Sequence, residues 1–364
     1  MDAHAALPPH QDLPCAWFGP AMAARTDWRV SPGEALLDEL HAAAERLLPD
    51  GAALAGADPQ ALRAWLPTVA PWMDGIREEL LQGRGFVLVR GLPVQAWGRR
   101  TTALAFMLLG ACLGPARPQN AAGHLLGHVR DLGLRSDDPN VRIYQTHERQ
   151  TYHTDSCDIV GLLCLQTARR GGRSALVSSV TLFNEMRRLR PDLAAAMFRP
   201  VATDRRGEVP PGQAPYFEIP VMNWWPAGAQ GALSTIYQRQ YIESAQRFPE
   251  APRLDATQRE ALDLFDALSN DPRLHFLMDL EPGDVQLVHN HSLLHDRTAF
   301  EDWPEPERRR HLLRLWLAPP DARPLPPVFA QRYGSVTPGA RGGVCLPTAP
   351  WNIPWDGLEP ATGG

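Results

Sequence analysis

The chain has no apolar run approaching the roughly 18 residues that a membrane span needs. Its N-terminus, MDAHAALPPHQDLPCAWFGP, has no basic region followed by an apolar stretch, so no secretory signal is read. Together these absences point to a cytoplasmic protein with no membrane partner. Positive charge is not in excess either: 36 Lys+Arg against 41 Asp+Glu give a net charge of −5 and a pI near 6.2. Binding nucleic acid wants a concentrated basic face, so no nucleic-acid partner is expected. The arginine clusters at 187–190 and 308–310 are short, and the first reads as a solvated helix face. The cysteines, Cys15, Cys112, Cys157, Cys164 and Cys345, are odd in number and form no short-spaced pair. That excludes a disulfide framework and a zinc motif and leaves buried reduced thiols. No internal repeat is found, low complexity is confined to the Pro-rich 319–327, and no signal fixes an oligomeric state.

What is present is enough apolar sequence for a large core: 44% of 364 residues are hydrophobic and 21% charged, which excludes global disorder. Residues 1–30, rich in Pro and Ala, read as an arm wrapping the surface. Ser31-Pro32-Gly33-Glu34 has the form of a capping box, and Leu36, Leu37, Leu40, Ala44, Leu47 and Leu48 continue at helical spacing. Further helices are expected around 71–83 and 95–113, with GFVLVRGLP (85–93) a short buried strand between them. From 141 the pattern changes to short strands: VRIYQT, DIVGLLCLQTA, SALVSSV, HFLMDLEPGDVQLVHN and HLLRLWLAPP. Two helices interrupt them, one opening at Thr181 and one at Asp255, where Gln258 completes a capping box. Strands with inserted helices, rather than alternating βαβ units, predict a mainly β sandwich or jelly roll flanked by α-helices. The expected organisation is an arm and helices over 1–84, a catalytic unit over 85–345 and a C-terminal tail over 346–364.

The stretch YHTDSCDIVGLLCLQTARRGGRSALVSSV (152–180) puts His153 and Asp155 two residues apart at the mouth of an apolar strand. In extended chain, residues i and i+2 face the same way. One imidazole and one carboxylate are two thirds of the 2-His-1-carboxylate triad that holds Fe(II) and leaves positions open. A third ligand has to come from a strand distant in sequence. EPGDVQLVHNHSLLHDRTAF (281–300) offers His289, His291 and His295, and spacing alone does not choose among them.

Taken together, YHTD, ARRGGRSALVSS, PGDVQLVHNHSLLHDRTAF and RRRHLLRLWL resemble the Fe(II)- and 2-oxoglutarate-dependent dioxygenases of the taurine dioxygenase and clavaminate synthase-like superfamily. The resemblance runs from roughly 85 to 345, with several separated blocks in the right order. It implies a double-stranded β-helix, or jelly-roll, core flanked by α-helices. It selects His295, in Leu294-His295-Asp296-Arg297, as the third ligand, with His291 next. Halogenating relatives lose the carboxylate ligand; this chain keeps Asp155, which implies a hydroxylation-type reaction using Fe(II), 2-oxoglutarate and O₂.

An arginine suits the remote carboxylate of 2-oxoglutarate. On 310–317, Arg310, Leu312, Arg314 and Trp316 share one face and Leu313, Leu315 and Leu317 the other, and an arginine on such a strand needs an anion. The resemblance assigns Arg314 as the remote-carboxylate anchor and Arg310 as auxiliary. About 13 Å separates residues four apart on a strand, so the two cannot grip one carboxylate. The segment EDWPEPERRR enlarges the loop before this strand. Ser174, after Gly171-Gly172-Arg173, matches a family position whose hydroxyl assists the anchor. For the substrate the resemblance is less specific. Gln119, Asn120 and His124 in PQNAAGHLLGHVRD (118–131) line the region expected to face it, and Trp224, with Trp225 in VMNWWPAGA, is expected in a lid. The expected substrate is a small anionic or amino-acid-like molecule whose C–H bond is oxidised with release of succinate and CO₂. Two other readings stay open: a non-catalytic jelly-roll module binding a small carboxylate, and a cupin-type oxygenase without oxoglutarate.

Overall fold

The computed structural model describes residues 7–136, 141–225, 231–347, 349–356 and 358. Its centre is the apolar strand Ile159–Gln166, which lies inside a six-stranded sheet. The order is Arg29–Val30, Phe86–Val89, Val285–His289, Ile159–Gln166, His311–Leu317, Leu126–Val129. Only the first pair is parallel; the others are antiparallel. A second, antiparallel sheet has the order His275–Met278, Ser174–Ser178, Leu293–Arg297, Gln150–His153.

Alternation along the strands decides what packs where. Phe86, Val160, Val288 and Trp316 of the first sheet share one buried cluster with Leu176, Phe276, Met278 and Leu293 of the second, so the sheets face each other. Val87, Leu163, Leu287, Leu313, Leu315 and Leu317 point the other way, into a cluster with the helices Glu34–Leu47, Val69–Leu81 and Val94–Leu113. On the far side Ala175, Val177 and Leu294 meet the helices Ser179–Leu189 and Ala256–Ser269. The result is a mainly β core between two helical layers, with the expected two-faced pattern on His311–Leu317.

Local signals were realised unevenly. Asp255 and Gln258 form their reciprocal cap, and Ser178 caps the helix that follows. The Ser31–Glu34 box does not form: the helix begins at Glu34 with Gly33 as its cap, which leaves Ser31 two residues too early. VRIYQT contains no strand; Ile143–Gln145 is a single 3₁₀ turn closed by the Gln145 side chain on the Arg142 N–H. Trp224 and Trp225, expected in a loop, end a strand, Met222–Trp225, paired with Ala232–Thr235; the following 226–230 lie outside the described residues. The N-terminal arm is anchored rather than superficial, because Trp17 and Trp28 pack around Phe86 and Phe276 at 5.6–6.1 Å between ring centres. Ile353 and Leu358, in the segment expected as a tail, are buried among the first sheet's helices. Four cysteines are buried and reduced as expected, whereas Cys345 is exposed.

Beneath the sheets lies an ion pair with no solvent access. The Asp158 carboxylate accepts from Arg341 Nε and Nη2 at 3.0 and 2.8 Å, and lies 2.8 Å from His291 Nε2. Burial pushes the Asp158 carboxyl up, but His291 and Arg341 more than offset this and hold it below the usual range. Arg341 also donates to the Val336 and Arg323 carbonyls, which ties 323–341 to the sheets. Removing one partner of a buried pair strands the other charge, at a cost of about 3–5 kcal/mol. Asp158→Asn is therefore expected to lower stability in urea denaturation by about that amount. A loss below about 1 kcal/mol would show that the network is not what holds this segment.

Candidate metal centre

The pairing of Leu293–Arg297 with Gln150–His153 sets His295 directly opposite His153. Their ring centres are 4.1 Å apart. Asp155 follows on the extension of the same strand, and His295 Nε2 lies 3.7 Å from its Oδ2. One donor atom from each of His153, Asp155 and His295 falls within 4.8 Å of the others, and all three residues are buried. His153 Nδ1 contacts the Thr151 carbonyl at 2.8 Å, which assigns the proton to Nδ1 and the lone pair to Nε2.

The electrostatics suit a cation. Burial lowers the His153 pKa, and burial with His153 nearby lowers His295 to about 3, so both rings are neutral ligands at pH 7. Burial alone would raise the Asp155 carboxyl, but the Arg314 guanidinium beside it holds it below the usual range and therefore ionised. Asp155 is oriented through its backbone: its N–H donates to Asn290 Oδ1 at 3.0 Å. Two neutral imidazoles and an ionised carboxylate on one side of a cavity are the donor set of a divalent iron site.

His289 and His291 do not enter the centre. His289 Nδ1 meets Ser292 Oγ, and His291 belongs to the Asp158 network.

Two cavities share the wall made by Tyr144, Gln150, His153 and Arg314. The first runs from His153 and His295 past Leu162 and Leu312 to Ser174, Arg297 and Arg310. Gly171 and Gly172, at φ 73° and 68°, make the turn that presents Ser174. A Cβ at Gly171 would stand 2.2 Å from the Ala299 carbonyl oxygen, so only glycine fits. Ser174 Oγ lies 3.0 Å from Gln286 Oε1. Arg297 and Arg310 flank the Phe300 ring at 4.7 and 5.1 Å. Burial lowers Arg310 to about 10, and burial with Arg310 nearby lowers Arg297 to about 9. Arg310 Nη1 is buried with no hydrogen-bond partner.

Arg314 is not at that end. Its Nη1 sits 3.3 and 3.4 Å from the Asp155 oxygens, and its Nε donates to Gln119 Oε1 at 2.7 Å. The expected placement of the two arginines is thus reversed, because the strand runs from the remote end toward the triad. Gln119 reaches Arg314 only because residue 127 is glycine; a Cβ there would lie 2.5 Å from its Oε1. Of the other residues expected near substrate, Asn120 and His124 close a turn on each other at 3.1 Å and line neither cavity. Trp224 packs beside the cluster of the second helical layer, again away from both.

The family model for the taurine catabolism dioxygenase TauD, TfdA family, matches residues 34–316. FR-33289 synthase of Streptomyces rubellomurinus is 31% identical over 307 residues, 83% of this chain and 88% of that protein. The chain belongs to the TauD/TfdA family. A uridine-5'-phosphate dioxygenase of an Amycolatopsis species is 30% identical over 186 residues, 48% of this chain and 63% of its own length. Among solved structures, asparagine oxygenase in complex with Fe(II), a hydroxyasparagine and succinate superposes with a TM-score of 0.60 at 17% identity, over 80% of this chain and 93% of that one. The protein is accordingly an Fe(II)- and 2-oxoglutarate-dependent oxygenase of small molecules, not a carboxylate-binding module or an oxoglutarate-free oxygenase. No described helix is long and apolar enough to cross a membrane.

Sequence reading assigned no role to Asn290, Arg297 or Tyr144. Arg297 stood inside the quoted Leu-His-x-Arg turn, whereas Asn290 and Tyr144 acquire their position only through contacts distant in sequence. Asn290 is buried and also donates from Nδ2 to Cys157 Sγ at 3.1 Å. Partners that orient a ligand typically contribute 10–100-fold in metal affinity. Asn290→Ala should weaken Fe(II) binding by about that factor, measured by anaerobic competition with a chelator; unchanged affinity would remove Asn290 from this role.

Proposed function

We propose that His153, Asp155 and His295 hold the Fe(II) of this oxygenase, inside a jelly-roll unit spanning 85–345. The observation that carries the assignment is a cavity that begins at two neutral imidazoles and ends at two arginines with a buried unsatisfied donor. Bound there with 2-oxoglutarate and O₂, the iron supplies the oxidation of a substrate C–H bond, with succinate and CO₂ as co-products. The chain's own residues bind and orient. Arg310, with Ser174 and Arg297, takes the remote carboxylate of 2-oxoglutarate, since these groups lie at the far end of the cavity. Arg314, fixed by Gln119, neutralises Asp155 and faces the chelating end. Leu162 and Leu312 keep the cavity wall apolar, which strengthens each charge-assisted contact. The second cavity, on the other side of His153, receives a small anionic substrate.

Anaerobic addition of Fe(II) and then 2-oxoglutarate should produce the weak visible charge-transfer band of the chelate. His153→Ala should abolish the band and turnover. Arg310→Ala should raise the 2-oxoglutarate concentration needed by at least about 30-fold while Fe(II) affinity is kept, as expected for truncating a buried charge pair. Half-saturation in Arg310→Ala matching the unmodified chain would refute the remote-anchor role.

A further inference from the structure

We infer that the second cavity holds a dianionic phosphoryl or phosphonyl group of the substrate, gripped by Arg205 and Arg332. The inference deepens the oxygenase reading above and rests on it for the metal end of the cavity. Three carboxylates stand in or behind this cavity, and each has an arginine of its own. Asp155 faces Arg314 at 3.3 Å. Asp204 is paired with Arg247 at 3.0 Å, and Glu208 with Arg142. Glu208 also lies 3.9 Å from Arg332, so its one charge is shared by Arg142 and Arg332, and Arg205 has none among the described residues; Arg205 and Arg332 line one wall.

Neither arginine is at the surface. Arg205 is 4% exposed and the Arg332 side chain 7%. The hydrogen bonds of Arg205 go to two carbonyls, Ala214 O at 3.1 Å and Gln331 O at 2.6 Å, and to no carboxylate among the described residues. Arg332 donates from Nε to Ser156 Oγ at 2.8 Å, and its nearest carboxylate, Glu208, is 3.9 Å away. Burial, with Arg332 nearby, lowers the Arg205 pKa to about 10, so Arg205 stays charged at neutral pH. Two desolvated like charges held together are costly unless an anion joins them.

The arrangement repeats the one at the remote end of the first cavity. There two guanidiniums flank Phe300 beside the Ser174 hydroxyl. Here Arg205 and Arg332 flank Phe217 at 5.4 and 5.8 Å beside the Ser156 hydroxyl. Ser156 follows the ligand Asp155 directly, so the anion site is tied to the metal centre by one residue. The turn that carries Arg205 is strained: Arg206 takes φ 54°, followed by Gly207 at 79°. A non-glycine residue holds that conformation only when its surroundings demand it, and such residues gather at ligand clamps. In the first cavity Asp296, Asp131 and Glu148 also bear on Arg297 and Asp302 on Arg310, which suits a single carboxylate. Here Glu208 bears on Arg332, but no carboxylate among the described residues offsets Arg205. The balance of two charges fits a doubly ionised tetrahedral oxyanion.

The test fills the first cavity and probes the second. Protein loaded anaerobically with Fe(II) and 2-oxoglutarate is titrated calorimetrically with methylphosphonate, methyl phosphate and methanesulfonate. The dianions should bind at least about tenfold more tightly than the isosteric monoanion methanesulfonate. The tighter of the two dianions tells a phosphonate from a phosphate ester. Arg205→Gln and Arg332→Gln should each weaken methylphosphonate by tenfold or more while the chelate band persists. Equal binding of sulfonate and phosphonate by the unmodified protein overturns the inference without needing any variant, as does undiminished methylphosphonate binding in both variants. Tighter binding of free asparagine or arginine than of any oxyanion overturns it too. Loss of the chelate band in the unmodified protein would count against the iron assignment alone, and the same titrations on metal-free protein would still decide the oxyanion site.

Discussion

The centre depends on one pairing register. His295 is opposite His153 across two antiparallel strands, where side chains on one face come within about 5 Å. Side chains alternate with a period of two, so a slip of one residue would turn His295 to the opposite face. That face is the helical layer, where Leu294 packs. The hydrophobic pattern that seats Leu293 between the sheets and Leu294 under the helices therefore also fixes the imidazole. Asp155 adds a second condition, because it lies beyond the strand and has no ladder partner. Asn290 supplies one by accepting its N–H, and Tyr237 O does the same for Thr154 N at 2.8 Å.

Around this centre the chain uses one kind of cation. All 36 of its basic residues are arginine. The choice matters where burial is deep. Desolvation lowers Arg297 to about 9 and Arg310 and Arg205 to about 10, and each remains charged at pH 7. A lysine starts lower and loses its proton far more readily under the same burial. Arginine also spreads its donors, so Arg297 can be pinned by the carbonyls of Thr146 and Glu148 and still present charge to the cavity.

How far sequence could reach follows from distance along the chain. The strands Ile159–Gln166, Ser174–Ser178, His275–Met278, Val285–His289 and His311–Leu317, the two-faced pattern of the last and the cap at Asp255 were legible because each is written in consecutive residues, whereas the strands between Pro200 and Thr235 were not. The triad was partly so: His153 and Asp155 share a face by their spacing, while choosing His295 over His289 and His291 needed a family pattern. That Arg314 stands beside Asp155 rather than at the far end of the cavity was not legible, because spacing fixes which face a residue takes but not which end of the strand meets His153 and Asp155. His124 and Asn120 looked available as polar groups on a loop, yet they satisfy one another within a turn. VRIYQT looked like a strand because of its β-branched residues, but Arg142 and Tyr144 are drawn to opposite partners, Glu208 on one side and the Arg314 guanidinium on the other.

The same reasoning explains why the second cavity was silent in the sequence. Arg205 comes from the turn joining Pro200–Asp204 to Tyr216–Pro220, and Arg332 from the short helix Ala330–Tyr333. More than a hundred residues separate them, and no periodicity links a turn to a terminal helix. The Arg205 guanidinium donates to the Gln331 carbonyl, next to Arg332, and Arg332 donates to Ser156 Oγ, which together hold the two guanidiniums on one wall. Uncompensated charges at such a site weaken the ligand-free fold, and whatever neutralises them stabilises the folded chain by mass action. Fold stability and substrate affinity are thus coupled through the same two side chains. The core itself is braced differently, by aliphatic packing and the Asp158–Arg341 pair.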